Sequence, residues 1–92
     1  MNKVDSTKQE ALRWLRFSGE DISAAFYLAN KADAPRHVCW HCRQAAEKAL
    51  KAALVLEEID FPSTHDLNTL QNLLPEVWTT QNAYSDLAKL TE

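Results

Sequence analysis

The chain carries one glycine and three prolines in 92 residues, and this scarcity of turn formers governs what it can fold into. A many-stranded sheet needs turn residues every few positions, whereas helices need them only at their ends. The few breakers leave long uninterrupted segments. These predict an all-α, antiparallel up-and-down bundle of about four helices, forming one domain over residues 1–92. A composition 46% hydrophobic and 25% charged is that of an ordinary globular unit rather than a disordered chain. No apolar run approaches the roughly 20 residues of a membrane span, and Lys3 and Asp5 interrupt any signal peptide. A soluble, cytoplasmic module without membrane association is therefore expected. A core of this size is marginal by itself, which favours a homodimer or a partner protein.

The first helix is expected to open at Ser6-Thr7-Lys8-Gln9, which has the spacing of a capping box, and to run to about Lys31 with a possible bend at Ser18-Gly19. At 100° per residue, Ala11, Leu12, Leu15, Ile22, Phe26 and Ala29 share one face, read as the core side. Trp14, Phe17, Ala24 and Leu28 form a second apolar patch nearly opposite. A helix apolar on two sides is buried on two sides, so Trp14 and Phe17 are expected at a dimer interface. Asp21 falls within that second patch and needs a cationic partner there. Lys48 is the expected partner, in a structural ion pair.

Asp33-Ala34-Pro35 restarts the chain, with Asp33 as N-cap of a second helix running to about Glu57. Val38, Cys39, Cys42, Ala46, Ala49, Leu50, Ala53 and Leu56 are read as its core face. His37, His41, Gln44, Lys48 and Lys51 align within about 80° on another face. As a ligand site, the lysines of this stripe would neutralise phosphate, Gln44 would bond a base or ribose edge, and a histidine would move a proton. As a plain solvated face, the stripe has no ligand. Cys39 and Cys42 are read as small buried hydrophobes, since zinc needs four converging ligands and no second cysteine pair exists. No metal site and no cofactor are assigned. After the break at Ile59-Asp60-Phe61-Pro62, Ser63 to Asp66 caps a short third helix with Leu67, Leu70, Leu73 and Leu74 on its apolar side. His65 serves either that helix start or a ligand site. A fourth helical segment is expected from about Asn82, cut short at Glu92.

Charge is unevenly divided. Residues 1–56 sum to +3 and residues 57–92 to −6. With a pI near 5.5, broad non-specific nucleic-acid binding is disfavoured, which leaves a local phosphate-facing strip or an acidic surface for a basic partner.

The segment Cys42-Arg43-Gln44-Ala45-Ala46-Glu47-Lys48-Ala49-Leu50-Lys51-Ala52, followed by Ser63-Thr64-His65-Asp66-Leu67, resembles the HEPN family, and the likeness extends back to Glu20-Asp21-Ile22-Ser23-Ala24-Ala25. The resemblance implies a dimerising helical bundle that binds nucleotide or RNA. It also implies pairing with an MNT-type nucleotidyltransferase, often as a toxin–antitoxin couple. Many family members are metal-independent ribonucleases with an Arg-x(4–6)-His motif. Arg36 and His41 match that spacing and are the candidate catalytic pair of this alternative, although five residues of helix set them about 140° apart. A purely structural dimerisation unit is the third reading.

Overall fold

The computed structural model describes residues 2–31 and 34–78. Within them the chain forms α1 (Lys3–Lys31), α2 (Pro35–Leu56), α3 (Leu67–Leu73) and a short 3₁₀ turn (Glu76–Trp78), with no strand among the described residues. The expected cap at Asp33 and the expected fourth helix lie outside the described residues. No described helix is long and apolar enough to cross a membrane.

α1 starts three residues before its expected capping box. Asn2 is the cap, with its Oδ1 accepting from the Asp5 amide at 2.9 Å and its carbonyl accepting from the Ser6 amide at 3.1 Å. Asp5 in the first turn and Lys31 in the last complement the helix dipole. The helix is continuous through Ser18-Gly19, and the Ser18 hydroxyl donates to the Ala45 carbonyl of α2 at 2.8 Å.

α2 begins with Pro35 in its first turn, where the missing amide hydrogen costs nothing. It ends in a Schellman motif. The Ile59 amide donates to the Leu54 carbonyl and the Glu58 amide to the Val55 carbonyl, both at 2.9 Å, with Glu58 at φ 57°. α3 is capped by Asp66, whose side chain accepts from the Asn68 amide at 3.1 Å, so the N-cap lies three residues beyond Ser63.

α1 and α2 pack antiparallel, since contacts pair Trp14 with Lys51, Ser18 with Ala45 and Asp21 with Lys48. Their seam is made of small residues. Ala11, Ser18 and Ala25 of α1 and Ala45 and Ala52 of α2 are buried at seven-residue intervals, the spacing of an antiparallel coiled-coil seam. Trp14 and Asp21 fill the positions between them on α1, and Leu28 continues that row beyond Ala25. α3 packs on α2, and among the described residues Leu54 and Leu70 are the large side chains wholly withdrawn from solvent.

This seam corrects both expected core faces. Leu12, Leu15, Ile22 and Phe26 point outward, with Leu12 58% and Phe26 67% exposed. Trp14 instead lies within the chain, its ring 5.4 Å from Lys51 Nζ, while Phe17 is exposed. On α2, Cys39, Cys42, Ala46, Ala49 and Leu56 are exposed, so the thiols are not buried hydrophobes. The reason is steric and electrostatic. A hydroxyl can reach a neighbouring helix's carbonyl only where side chains are small, and Asp21 needs cations that only the polar stripe of α2 supplies.

Glu58 occupies the left-handed region that favours glycine. Its ion pair with Lys3 spans 3.6 Å between exposed side chains and contributes little. Glu58→Gly is expected to stabilise the fold by about 0.5 kcal/mol, the relief of backbone strain exceeding glycine's greater entropy loss. Thermal unfolding checks this, and a lower midpoint for the variant would contradict it.

Candidate functional site

Two carboxylates organise the centre of the molecule, and each lies between a lysine and a histidine. Asp21 of α1 is buried with Oδ1 2.9 Å from His41 Nδ1 and Oδ2 2.5 Å from Lys48 Nζ. Glu47 of α2 has Oε2 3.0 Å from Lys51 Nζ and Oε1 2.9 Å from His65 Nδ1. Lys51 is itself buried, with its ammonium 5.4 Å from the Trp14 ring centre and 5.8 Å from that of Phe61. Both ring faces favour the cation.

Burial pushes the Asp21 carboxyl up, but the hydrogen bonds and charges of Lys48 and His41 outweigh it and hold the group below its ordinary range. Glu47 follows the same balance. Burial raises it, and Lys51 and His65 together bring it below the ordinary value. Both groups are therefore anions inside the helix pair at neutral pH.

The segment that presents His65 is fixed on both sides. The Asp66 amide donates to Thr64 Oγ1 at 3.1 Å, and the Asp66 carboxylate accepts from the Asn68 amide and, at 2.9 Å, from the Thr69 hydroxyl. Thr64 and Asp66 thus hold the turn, Leu67 begins α3, and the residue between them reaches back to Glu47. Glu47 is only 4% exposed as a residue, yet the His65 side chain bound to it is 84% exposed. The buried carboxylate holds an imidazole that solvent and ligands can reach. With Nδ1 bonded to Glu47, Nε2 is the free ring nitrogen.

Beside His65 lies a groove of about 740 Å³. Arg36, Trp40, Arg43, Gln44, Glu47 and His65 are among the residues that line it. Arg36 and Arg43 meet no carboxylate within ion-pair distance among the described residues. Trp40 is exposed, and its ring stands nearly perpendicular to that of His41 at a centroid distance of 4.9 Å. Two guanidinium groups, an open aromatic face, an amide and an anchored imidazole form a set suited to phosphate and base.

The two motif segments meet at the Glu47–His65 bond, and a family model described as HEPN domain matches residues 11–92. The chain belongs to the HEPN domain family. Searches of curated proteins and of solved structures find no match. In this HEPN domain the run from Gln44 to Ala52 has a structural division of labour. Ala45 and Ala52 make the helix seam, Lys48 reaches Asp21, Glu47 and Lys51 pair with each other, and Gln44 faces the groove.

Of the sequence-predicted site residues, Arg36, Gln44 and His65 line the groove together. His37 is exposed on α2, and His41 sits against Asp21. Lys48 and Lys51 are not on an open face: both turn to carboxylates, and Lys51 is buried. Arg36 lies in the first turn of α2 and borders the groove, whereas His41 does not line it. Arg43, Trp40 and Glu47 entered no site reasoned from sequence. The spacing Arg36, Trp40, Arg43, Gln44 and Glu47 is that of one helix face and was the signal available. Among the described residues, no group of three or more His, Cys, Asp or Glu is arranged to hold a metal ion.

The lowered carboxyl groups fix the sign of an acid effect. A group whose folded pKa lies below its unfolded value stabilises the fold above the unfolded value, and that contribution is lost as pH falls through the folded one. Stability should therefore decline below about pH 4, near the ordinary carboxylate range. Asp21→Asn should make this decline shallower and cost about 2 kcal/mol at neutral pH, toward the low side for a broken buried pair because Lys48 remains partly exposed. Urea unfolding at several pH values measures both effects, and an unchanged acid slope in the variant would contradict the assignment.

Proposed function

We propose that this HEPN domain is a nucleotide- or RNA-binding module that acts as a homodimer beside an MNT-type nucleotidyltransferase, as the family resemblance implies. The observation that supports ligand binding most directly is the groove, where Arg36 and Arg43 stand next to Trp40 and His65 without a carboxylate partner among the described residues. Phosphate recognition needs cations that are not already neutralised, and guanidinium groups bind phosphate oxygens in pairs. The lysines of α2 are already paired with Asp21 and Glu47, so the arginines hold the phosphate in this reading. Trp40 offers a stacking surface for a base, and base–aromatic stacking contributes on the order of 1–3 kcal/mol.

Binding of a short single-stranded RNA and of adenosine 5′-monophosphate tests the proposal. Arg36→Gln with Arg43→Gln should weaken both by about tenfold or more, and should reduce the log–log salt slope for RNA by about 0.7 for each phosphate that is no longer neutralised. Arg13→Gln with Arg16→Gln removes the same charge from α1 outside the groove and should leave affinity nearly unchanged. Equal losses in the two double variants would mean that net charge, not the groove, attracts the ligand.

The outward face of α1 supports the dimer. Leu12, Leu15, Ile22 and Phe26 recur at helical spacing, and Gly19 among them has open space where a Cβ would stand. A second helix can approach closely at such a position. Leu15→Glu with Phe26→Glu is expected to convert a dimer to a monomer in light scattering without loss of helix content. An unchanged mass would place the interface elsewhere. Co-expression with a nucleotidyltransferase encoded beside this chain, followed by purification of the complex, tests the partner.

A further inference from the structure

The histidine at the groove mouth has a chemical consequence for what the groove selects. Arg36 and Arg43 come from α2 and His65 from the segment before α3, so the cationic donors of the groove belong to two elements. The charged and titratable groups facing His65 are Glu47 on α2, with Lys51 behind it, and Arg36, Arg43 and the Cys39 thiol along the groove. The neighbouring Asp66 is committed to the Asn68 amide and the Thr69 hydroxyl. The negative charge of Glu47 is already matched by Lys51 at 3.0 Å. Lys51 and His65 share the Glu47 carboxylate, so a proton on His65 leaves the group with positive charge in excess at the groove.

We infer that the groove is a site for a terminal phosphate monoester, the end of a nucleotide or of a 5′-phosphorylated RNA, with Arg36, Arg43 and protonated His65 as its three donors. This rests on the reading that nucleotides bind in the groove. A terminal phosphate carries close to two negative charges near neutral pH and presents three free oxygens. An internal phosphodiester carries one charge and two free oxygens, with chain continuing on both sides. Two fixed guanidinium groups and one switchable imidazole match the first more fully than the second. Glu47 acts through His65: by accepting from Nδ1 it fixes the ring and leaves Nε2–H, when present, to donate toward the phosphate.

The pH dependence separates this arrangement from simple charge attraction. A phosphate monoester gains negative charge as pH rises through about 6, so attraction to arginines alone strengthens upward. A third donor that must carry a proton before it can bond the phosphate acts in the opposite direction.

Calorimetry with the full chain compares adenosine 5′-monophosphate with the dinucleoside monophosphate adenylyl-3′,5′-adenosine, which has only an internal phosphate. At about pH 6.5 the monophosphate is expected to bind about tenfold tighter, the worth of one charge-assisted hydrogen bond. Raising the pH should weaken its binding, because the third donor needs a proton, whereas attraction to arginines alone would strengthen. In His65→Gln, a change at an exposed side chain that leaves Arg36 and Arg43 in place, the preference should shrink and the fall with pH should vanish or reverse. Equal binding of the two ligands by the unaltered chain, or an unchanged preference and pH profile in His65→Gln, would overturn the terminal-phosphate site while leaving nucleotide binding intact. Binding of neither ligand would overturn the underlying reading and this one with it.

Discussion

Two buried carboxylates, each held between a lysine and a histidine, fix how α2 lies against its neighbours. An isolated ionised carboxylate away from water is costly enough that it would ordinarily take up a proton. Asp21 and Glu47 stay charged because Lys48 with His41, and Lys51 with His65, surround them. These four partners cannot be satisfied by a rotated helix. The clamps therefore choose which face of α2 turns inward, and they place Ala45 and Ala52 on the seam. The same choice leaves Arg36, Trp40 and Arg43 along an open groove. The structural anions and the candidate binding cations are in this sense one arrangement: Lys48 and Lys51 are committed to Asp21 and Glu47, and Arg36 and Arg43 line the groove outside.

The seam has a second consequence. Helices joined through alanine and serine come close, and Ser18 can bond a backbone carbonyl across the gap. Close approach gains dispersion attraction but buries little large apolar surface. Among the described residues only Leu54 and Leu70 are large side chains withdrawn completely, while Val4, Leu12, Leu15, Phe17, Ile22 and Phe26 of α1 remain on the surface. Burying that face against a second chain would add large apolar surface that the described seam does not supply, which links the packing of the single chain to its proposed assembly.

The start of α2 and the ends of the helices were legible because breakers mark them, Pro35 at the first turn of α2 and Pro75 after α3, whereas the caps of α1 and α3 fell at Asn2 and Asp66 rather than Ser6 and Ser63. The need of Asp21 for a cation followed from its place among apolar residues. The inward faces were not legible from large hydrophobic residues, because the seam is built from Ala11, Ser18, Ala25, Ala45 and Ala52, whose seven-residue spacing carries the information instead. The site was half legible. Arg36, Gln44 and His65 stood out by type. Glu47 did not, since a glutamate between an alanine and a lysine reads as a solvated position, and only the return of the chain through Thr64-His65-Asp66 makes it a buried anchor. Trp40 and Arg43 were obscured by the stripe of lysines and histidines beside them, which looked like the more cationic face but is the internally neutralised one.

The claim that the lysine stripe is committed to structure while the arginine groove receives the ligand is tested most directly by nuclear magnetic resonance with adenosine 5′-monophosphate added to the isotope-labelled chain. The account predicts that the largest shifts fall on the side chains of Arg36, Trp40, Arg43 and His65, with the ammonium signals of Lys48 and Lys51 nearly unmoved. Shifts centred on Lys48 and Lys51, with the arginine and Trp40 signals unchanged, would contradict it.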